Sequence, residues 1–403
     1  MSTELLSSIV TGRKFDLFGE DIRLRDGELK ERFAGRRVLV VGGAGSIGSS
    51  TVRALLDYRP AAVHVVDQNE NGLAELIRDL RSTLATMPQD FRALPLDFGA
   101  PPMRLLLESQ PAYDVVFNFA ALKHVRSEKD VFSALQLLDT NVVKAARVLR
   151  WLEDGKRLGR YFAVSTDKAA NPVNLMGASK RAMEHVMFSG EVVTKIEATS
   201  ARFANVAFSD GSLLWGFLRR IEKRQPIAVP TNTKRYFITL RESGQICLLA
   251  AACAPVGSLL VPRMGTGDLV DLETVAVATV RHHGFEPVFF DDESKSREQL
   301  SHELSAGRYP ILRTPRDTSG EKSEEVFVGQ GEQSCEVGIP NLLSVAYVPP
   351  RQPGTVKRFL ELLERLASGA ERDVTKAKLV AALGDVVPEF QHAETGRSLD
   401  QRM

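Results

Sequence analysis

Three features of the sequence predict an α/β fold built on a doubly wound parallel sheet. Apolar runs of strand length alternate with amphipathic helical stretches, a glycine-rich turn follows the first run, and the later runs end in polar residues. The first strand is expected at residues 38–41, from which Gly42, Gly43, Gly45 and Gly48 lead into a helix over 49–57. A second run, 62–66, ends at Asp67, and Leu73, Leu76, Ile77 and Leu80 recur at helical spacing within 69–84. Third and fourth strands are expected at 91–96, ending at Asp97, and 113–119, ending at Ala120 and Ala121. A fifth, 162–165, runs into a polar Ser165-Thr166-Asp167-Lys168 turn. Ligands of such sheets sit at the carboxyl ends of the strands, so chemistry is expected at those polar ends.

The glycine turn reads Gly42-Gly-Ala-Gly45-Ser46-Ile47-Gly48. A backbone without side chains can approach a pyrophosphate held at a helix amino terminus. Alone, the same pattern also serves as an ordinary tight turn. Asp67, 19 residues after Gly48, adds a carboxylate at the second strand's end that can accept from both adenine-ribose hydroxyls. That charge would repel a 2′-phosphate, so NAD is expected rather than NADP, on a Rossmann-type sheet. Asp97 is either an adenine contact or a strand-end cap.

After Arg202 the alternation weakens, and Pro226, Pro230, Gly257, Gly265 and Gly267 divide the chain into shorter elements. This is the pattern of a smaller substrate-binding lobe raised on the sheet's edge. Val356, Phe359, Leu360, Leu363 and Leu366 predict a helix within 355–366, and another is expected at 374–383. Both would pack on the core or on a neighbouring subunit. The expected organisation is a helical extension (1–34), a dinucleotide-binding domain (35–205), a substrate lobe with some elements returning to the sheet (206–345) and a C-terminal helical segment (346–403).

With 52 basic and 51 acidic residues among 403, the formal charge is +1, which implies no nucleic-acid-binding or membrane-surface field. Cys247, Cys253 and Cys335 lack the paired spacing of a metal site or a redox pair, so reduced, buried thiols and no metal are expected. Residues 244–262 carry Gln245, Pro255 and Gly257 and suit a buried helix and strand rather than a membrane span. Charged residues interrupt the first 35 positions, so no signal-peptide core is read and a cytoplasmic location is expected. Leu5, Leu6, Ile9 and Val10 cluster near the start, and the extension is expected to dock on a partner subunit of a homo-oligomer.

Four stretches then resemble one family. The glycine turn, Asn118-Phe-Ala-Ala-Leu-Lys-His124, Ser165 to Lys180 and Arg202-Phe-Ala-Asn-Val206 are similar to the extended short-chain dehydrogenase/reductases over roughly residues 35–325. Thr166-Asp167-Lys168 with Asn171-Pro-x-Asn174 looks more narrowly like the polysaccharide-biosynthesis nucleotide-sugar 4,6-dehydratases that feed bacillosamine, pseudaminic and legionaminic acid pathways. The resemblance implies that a ketone formed at carbon 4 acidifies the carbon-5 hydrogen. A lysine held neutral, Lys168, would remove that hydrogen, and Asp167, its pKa raised by burial, would protonate the departing carbon-6 hydroxyl.

The family's usual Tyr-x-x-x-Lys departs here, because Met176 precedes Lys180. Lys180 still matches the lysine that holds the nicotinamide ribose. A methionine at this place is similar to the dehydratases that retain configuration at carbon 5, so retention is expected, with Thr166 hydrogen-bonding the carbon-4 oxygen and Lys168 or a water chain accepting its proton. A Met176 that only packs the core of a degenerate site is the alternative. Ala120 falls on the cofactor side. Lys123 and His124 resemble the family's substrate-side pair, and Asn141 an asparagine that braces the active-site helix. Asn205 and Arg235 would meet the sugar diphosphate, Glu242 would reach the nucleotide ribose or cap a helix, and Gly320-Glu-Lys322 resembles a late substrate-lobe motif. UDP-N-acetylglucosamine is the expected substrate. GDP-N-acetylglucosamine, a 4-epimerase and a non-catalytic NAD-binding scaffold are the other readings.

Overall fold

A computed structural model describes residues 3–83, 86–124, 128–157, 159–315 and 325–392. Its centre is β1 (Arg37–Val41), whose last four residues are buried because strands flank it and helices cover both faces. On one side β1 pairs in parallel with β2 (Ala62–Asp67), and β2 with β3 (Asp90–Pro95). On the other side it pairs with β4 (Val115–Asn118), followed by β5 (Arg160–Val164) and β6 (Glu197–Ala201), all parallel. β7 (Ser258–Pro262) adds in parallel to β6, and β8 (Ser334–Glu336) and β9 (Leu342–Ala346) close that edge antiparallel. Among the described residues the order is β8-β9-β7-β6-β5-β4-β1-β2-β3. The chain winds outward through β3 and returns to the opposite side of β1 at β4, so a crevice opens between the carboxyl ends of β1 and β4.

The expected strands are present with bounds shifted by a few residues. The helix after the glycine turn starts earlier than expected, as Ser46–Leu56, because the turn is complete at Gly45. Residues 244–262 fall on a helix, Leu240–Cys253, and on β7, and no helix of the described residues is long and apolar enough to cross a membrane. Of the three cysteines only Cys247 is fully buried. Cys253 is half-buried and Cys335 is exposed on the edge strand β8, which corrects the expectation of three buried thiols.

The smaller lobe holds a parallel three-stranded sheet of Ile227–Pro230, Arg308–Thr314 and Glu286–Phe290, covered by helices Leu213–Glu222 and Leu272–His282. The first helix, Thr3–Thr11, buries Leu6 and Val10 in this lobe's own core. Further along the extension, Phe18, Leu29 and Phe33 are fully buried against one face of the central sheet. Of the cluster expected to dock on a partner, Leu6 and Val10 are thus buried within the chain, while Ile9 is exposed.

At the other end, helices Thr355–Ala367 and Lys376–Val386 bury Val356, Phe359, Leu360, Leu363, Leu379, Leu383 and Val386. They join the layer that contains helices Val131–Leu138, Lys144–Asp154 and Leu175–Phe188. Of the two destinations open for this segment, its own core is the one it takes. Leu363 has no exposed surface, so Leu363→Ala should cost about 2–5 kcal/mol in urea unfolding. A loss well under 1 kcal/mol would mean that the C-terminal pair contributes little to the core.

Candidate active site

Gly42 leaves β1 at a φ of +75°, where a side chain is strained, and a Cβ there would lie 2.4 Å from the Ala120 backbone nitrogen. A Cβ on Gly48 would lie 2.3 Å from the Gly42 carbonyl oxygen. The turn therefore sits as close to the end of β4 as a bare backbone allows, and the helix Ser46–Leu56 points its amino terminus into the crevice. Backbone N–H groups and the positive end of the helix dipole favour an anion at such an end. The cleft has a volume of about 700 Å³ and is walled by Gly42, Gly45, Ser46, Asp67, Asp97 and Ala120, a size that suits a dinucleotide's anchoring half. Three residues predicted to bind the cofactor do not form its wall: Gly48 is buried under the turn, the Ile47 side chain packs on the apolar core, and Lys180 lies outside the lining.

Asp67 accepts from the backbone N–H of Ala44 at 3.0 Å and of Asn69 at 2.9 Å, which fixes its carboxylate at the cleft's rim. Asp97 lines the cleft and caps the turn after β3, accepting from Gly99 N at 2.9 Å and from Lys144 Nζ at 2.6 Å. Burial raises its carboxyl, but Lys144 and the Gly99 amide outweigh this and leave it below the usual range. Lys144 escaped sequence reasoning because its only signal is a lysine opening a helix.

At the end of β5, Thr166 Oγ1 donates to Asp167 Oδ1 at 2.7 Å, and Lys168 Nζ lies 3.2 Å from the same oxygen. The following helix, Leu175–Phe188, is capped by Asn174, which accepts from Gly177 N at 2.8 Å. A Cβ at Gly177 would stand 2.3 Å from the Lys168 carbonyl oxygen, so glycine lets the helix rest on the Thr166–Lys168 turn. Met176 is buried in the apolar layer, and its N–H donates to Glu128 Oε1 at 2.9 Å. One turn on, Lys180 Nζ donates to the Val164 carbonyl at 3.0 Å, and burial lowers its ammonium to about 8. Asn141, in a π-helical turn at Asp139–Val143, donates to Leu122 O and Ser179 Oγ at 2.9 Å each and so ties this helix to the loop after β4.

Lys123 and His124 also line the cleft; Lys123 Nζ donates to the Asp210 carbonyl at 2.6 Å, and His124 packs against Gly211. Asn205 and Arg235 line a second cavity of about 160 Å³ in the smaller lobe. Both also meet one carboxylate: Asn205 Nδ2 donates to Glu325 Oε2 at 2.8 Å, and Arg235 Nε lies 3.2 Å from Glu325 Oε1. The Glu325 side chain is 5% exposed, and its Oε1 is also 3.4 Å from Lys168 Nζ. Glu325 went unnoticed because a glutamate ahead of a short apolar run reads as a solvated flank.

Of the two roles open to Glu242, a ribose contact or a helix cap, the cap is the one the structure shows. Glu242 completes a capping box with Thr239 and binds Arg13 at 2.7 Å and Leu17 N at 2.8 Å, so both oxygens are used in holding the N-terminal segment. Gly320-Glu-Lys322 lies outside the described residues.

The protonation pattern reverses the expected one. Burial pushes Asp167 up, but Lys168, the Thr166 hydroxyl and Glu325 outweigh it and hold the carboxyl below its ordinary value. Burial pushes Lys168 down, but Asp167 and Glu325 outweigh it and hold the ammonium above its own. The carboxyl that burial raises is Glu325, to about 7, with Asp167 adding to the rise and Lys168 and Arg235 opposing it. Two carboxylates so close do not both ionise readily.

The family model for polysaccharide biosynthesis proteins matches residues 38–341. The probable polysaccharide biosynthesis protein EpsC of Bacillus subtilis is 29% identical over 387 residues, which are 94% of this chain and 59% of EpsC, so the chain spans less than two thirds of that relative. The UDP-N-acetylglucosamine 4,6-dehydratase (inverting) of Campylobacter jejuni strain 81-176 is 26% identical over 261 residues, 62% of this chain and 73% of that protein. Among solved structures, the dTDP-glucose 4,6-dehydratase DesIV of Streptomyces venezuelae, determined with NAD bound, has a similar fold. The TM-score is 0.55 at 18% identity, over 82% of this chain and 97% of that one.

Two outcomes test the site without substrate. Asp67→Asn should weaken NAD binding about tenfold or more in titration calorimetry, and an unchanged affinity would remove Asp67 from the site. Glu325 binds its proton more tightly folded than unfolded, so its stabilisation is complete below about 4.5 and is lost as pH rises through about 7. The slope is at most about 1.4 kcal/mol per pH unit, and Glu325→Gln should flatten it in denaturant titrations across that window.

Proposed function

Because the chain belongs to the polysaccharide biosynthesis protein family, we propose that it is an NAD-dependent nucleotide-sugar 4,6-dehydratase that converts UDP-N-acetylglucosamine to a 4-keto-6-deoxy sugar with retention at carbon 5. The observation that carries this reading is the Thr166-Asp167-Lys168 turn, whose side chains touch one another at the end of β5 beside Lys180 and Met176. The glycine cradle and the Asp67 carboxylate fit a dinucleotide without a 2′-phosphate. Bound there, the nicotinamide supplies the reversible removal of the carbon-4 hydrogen and its return to the sugar at carbon 6. Lys180, held by the Val164 carbonyl, has an ammonium available for the nicotinamide ribose.

Met176 offers no acidic hydrogen, so the carbon-4 hydroxyl proton needs another route. The Thr166 hydroxyl already donates to the ionised Asp167 and supplies one: it accepts from the sugar hydroxyl and passes a proton on to Asp167. Asp167, now a carboxylic acid, protonates the carbon-6 hydroxyl as the carbon–oxygen bond breaks. The proton lost at carbon 4 thus leaves with the water. Lys168 removes the carbon-5 hydrogen once its ammonium proton has been passed on, and returns a proton from the same side, since no acid stands at position 176. That single-sided exchange is the basis for retention.

Product mass spectrometry after incubation with UDP-N-acetylglucosamine in deuterated water tests the reading. The expected result is loss of one water with solvent deuterium at carbon 5. Turnover of only the GDP sugar would change the nucleotide, and unchanged mass with both would sink the dehydratase reading. Asp167→Asn and Lys168→Ala should each lower the rate by about 100-fold or more, and undiminished turnover in either would remove that residue from its role.

A further inference from the structure

Proton counting at the site leaves one group unassigned. Asp167 takes the carbon-4 proton and gives it to the departing hydroxyl, so it is occupied when carbon 5 must lose its hydrogen. Lys168, the base for that step, is an ammonium in the resting site, held so by the two carboxyls. A third group must hold the ammonium proton while the amine works. It must be buried, next to Lys168 Nζ, and close in proton affinity to neutrality.

We propose that Glu325 is this group: its carboxylate takes the Lys168 ammonium proton across the 3.4 Å contact before carbon-5 abstraction and returns it afterwards. The inference rests on the dehydratase reading. The charged groups facing Glu325 are Asp167, Lys168 and Arg235, and Asn205 donates to its other oxygen. Arg235 and Asn205 stabilise the carboxylate, while Asp167 and burial favour the acid, so neither form is strongly preferred near neutral pH.

The cycle balances. Above about pH 7 the cluster starts with Asp167 and Glu325 ionised and Lys168 charged. The carbon-4 proton moves through Thr166 to Asp167, and the ammonium proton moves to Glu325. The neutral Lys168 takes the carbon-5 hydrogen as Asp167 protonates the carbon-6 oxygen, the carbon–oxygen bond breaks and water departs. The hydrogen removed from carbon 4 arrives at carbon 6, and Lys168 returns a proton to carbon 5. Glu325 then restores the ammonium, and the cluster ends as it began. Glu325 acts through Lys168 and is a positioning residue for its proton.

The test compares wild type, Glu325→Gln and Glu325→Asp across pH, reading water loss and carbon-5 deuterium by mass spectrometry and carboxyl protonation by infrared titration of the full chain. Wild-type elimination is expected to rise as pH passes through about 7, with one carboxyl titrating in that range. Glu325→Gln should lose that infrared signal and slow deuterium incorporation and water loss together by about 100-fold. Glu325→Asp should recover part of the rate with the pH limb displaced, which a merely structural role would not produce. A wild type that eliminates water while Glu325→Gln keeps the same pH profile overturns the inference alone. A wild type that eliminates no water from either nucleotide sugar overturns the dehydratase reading beneath it.

Discussion

Arg202 is wholly buried, and what surrounds it holds the active half of the molecule together. Its guanidinium meets Glu184 at 2.8 and 2.5 Å and Glu332 at 2.6 and 2.9 Å. Glu184 lies on the active-site helix and also accepts from Ser165 Oγ at 2.6 Å and from Arg181 at 2.9 Å. Glu332 accepts from Arg181 at 2.7 Å and from Gly329 N at 2.7 Å. One cluster thus joins the residue after β6, the last residue before the Thr166 turn, the helix of Met176 and Lys180, and the segment that follows Glu325. Buried ions are costly to desolvate, and removing one partner of such a set leaves an uncompensated charge worth about 3–5 kcal/mol. The Thr166–Lys168 turn therefore rests on a floor of rigid geometry.

Above that floor the charges are balanced differently. Asp167, Lys168, Glu325 and Arg235 make two acids and two bases within reach of one another, and Lys168 keeps 30% of its side chain exposed. The lower cluster places each guanidinium between fixed carboxylates, and its protons stay where they are; burial raises Glu184, but Arg202, Arg181 and Ser165 outweigh this and hold it at about 2. In the upper cluster the ion-pair contacts are longer, and one carboxyl is pushed up to about 7 while Lys168 is held charged by its two carboxyl neighbours.

The terminal segments serve the same arrangement. The N-terminal stretch is fastened by Glu242 through Arg13 and Leu17, next to the strand pair that presents Asn205. At the far end, Glu389 binds Arg181 at 2.8 Å, and Gln391 N donates to the Pro172 carbonyl at 3.0 Å, beside the cap of the active-site helix. Both ends of the described chain are thus tied by polar contacts to elements that carry site residues.

The sheet was legible in residue order because a buried parallel strand must be an unbroken apolar run and its helix must show one apolar face. The glycine turn was legible too, since a Cβ at Gly42 or Gly48 would come within 2.3 to 2.4 Å of backbone atoms. Thr166, Asp167 and Lys168 are adjacent in sequence and so stay adjacent in any fold. What the sequence could not disclose was which distant residues face them. Glu325 is 157 positions from Lys168, Glu242 turned toward Arg13 rather than toward the cleft, and the Asp167 and Lys168 shifts opposed those expected. Local pattern determines secondary structure and close backbone approach. Proton affinity depends on charges and burial contributed by the whole chain, and these only the tertiary structure decided.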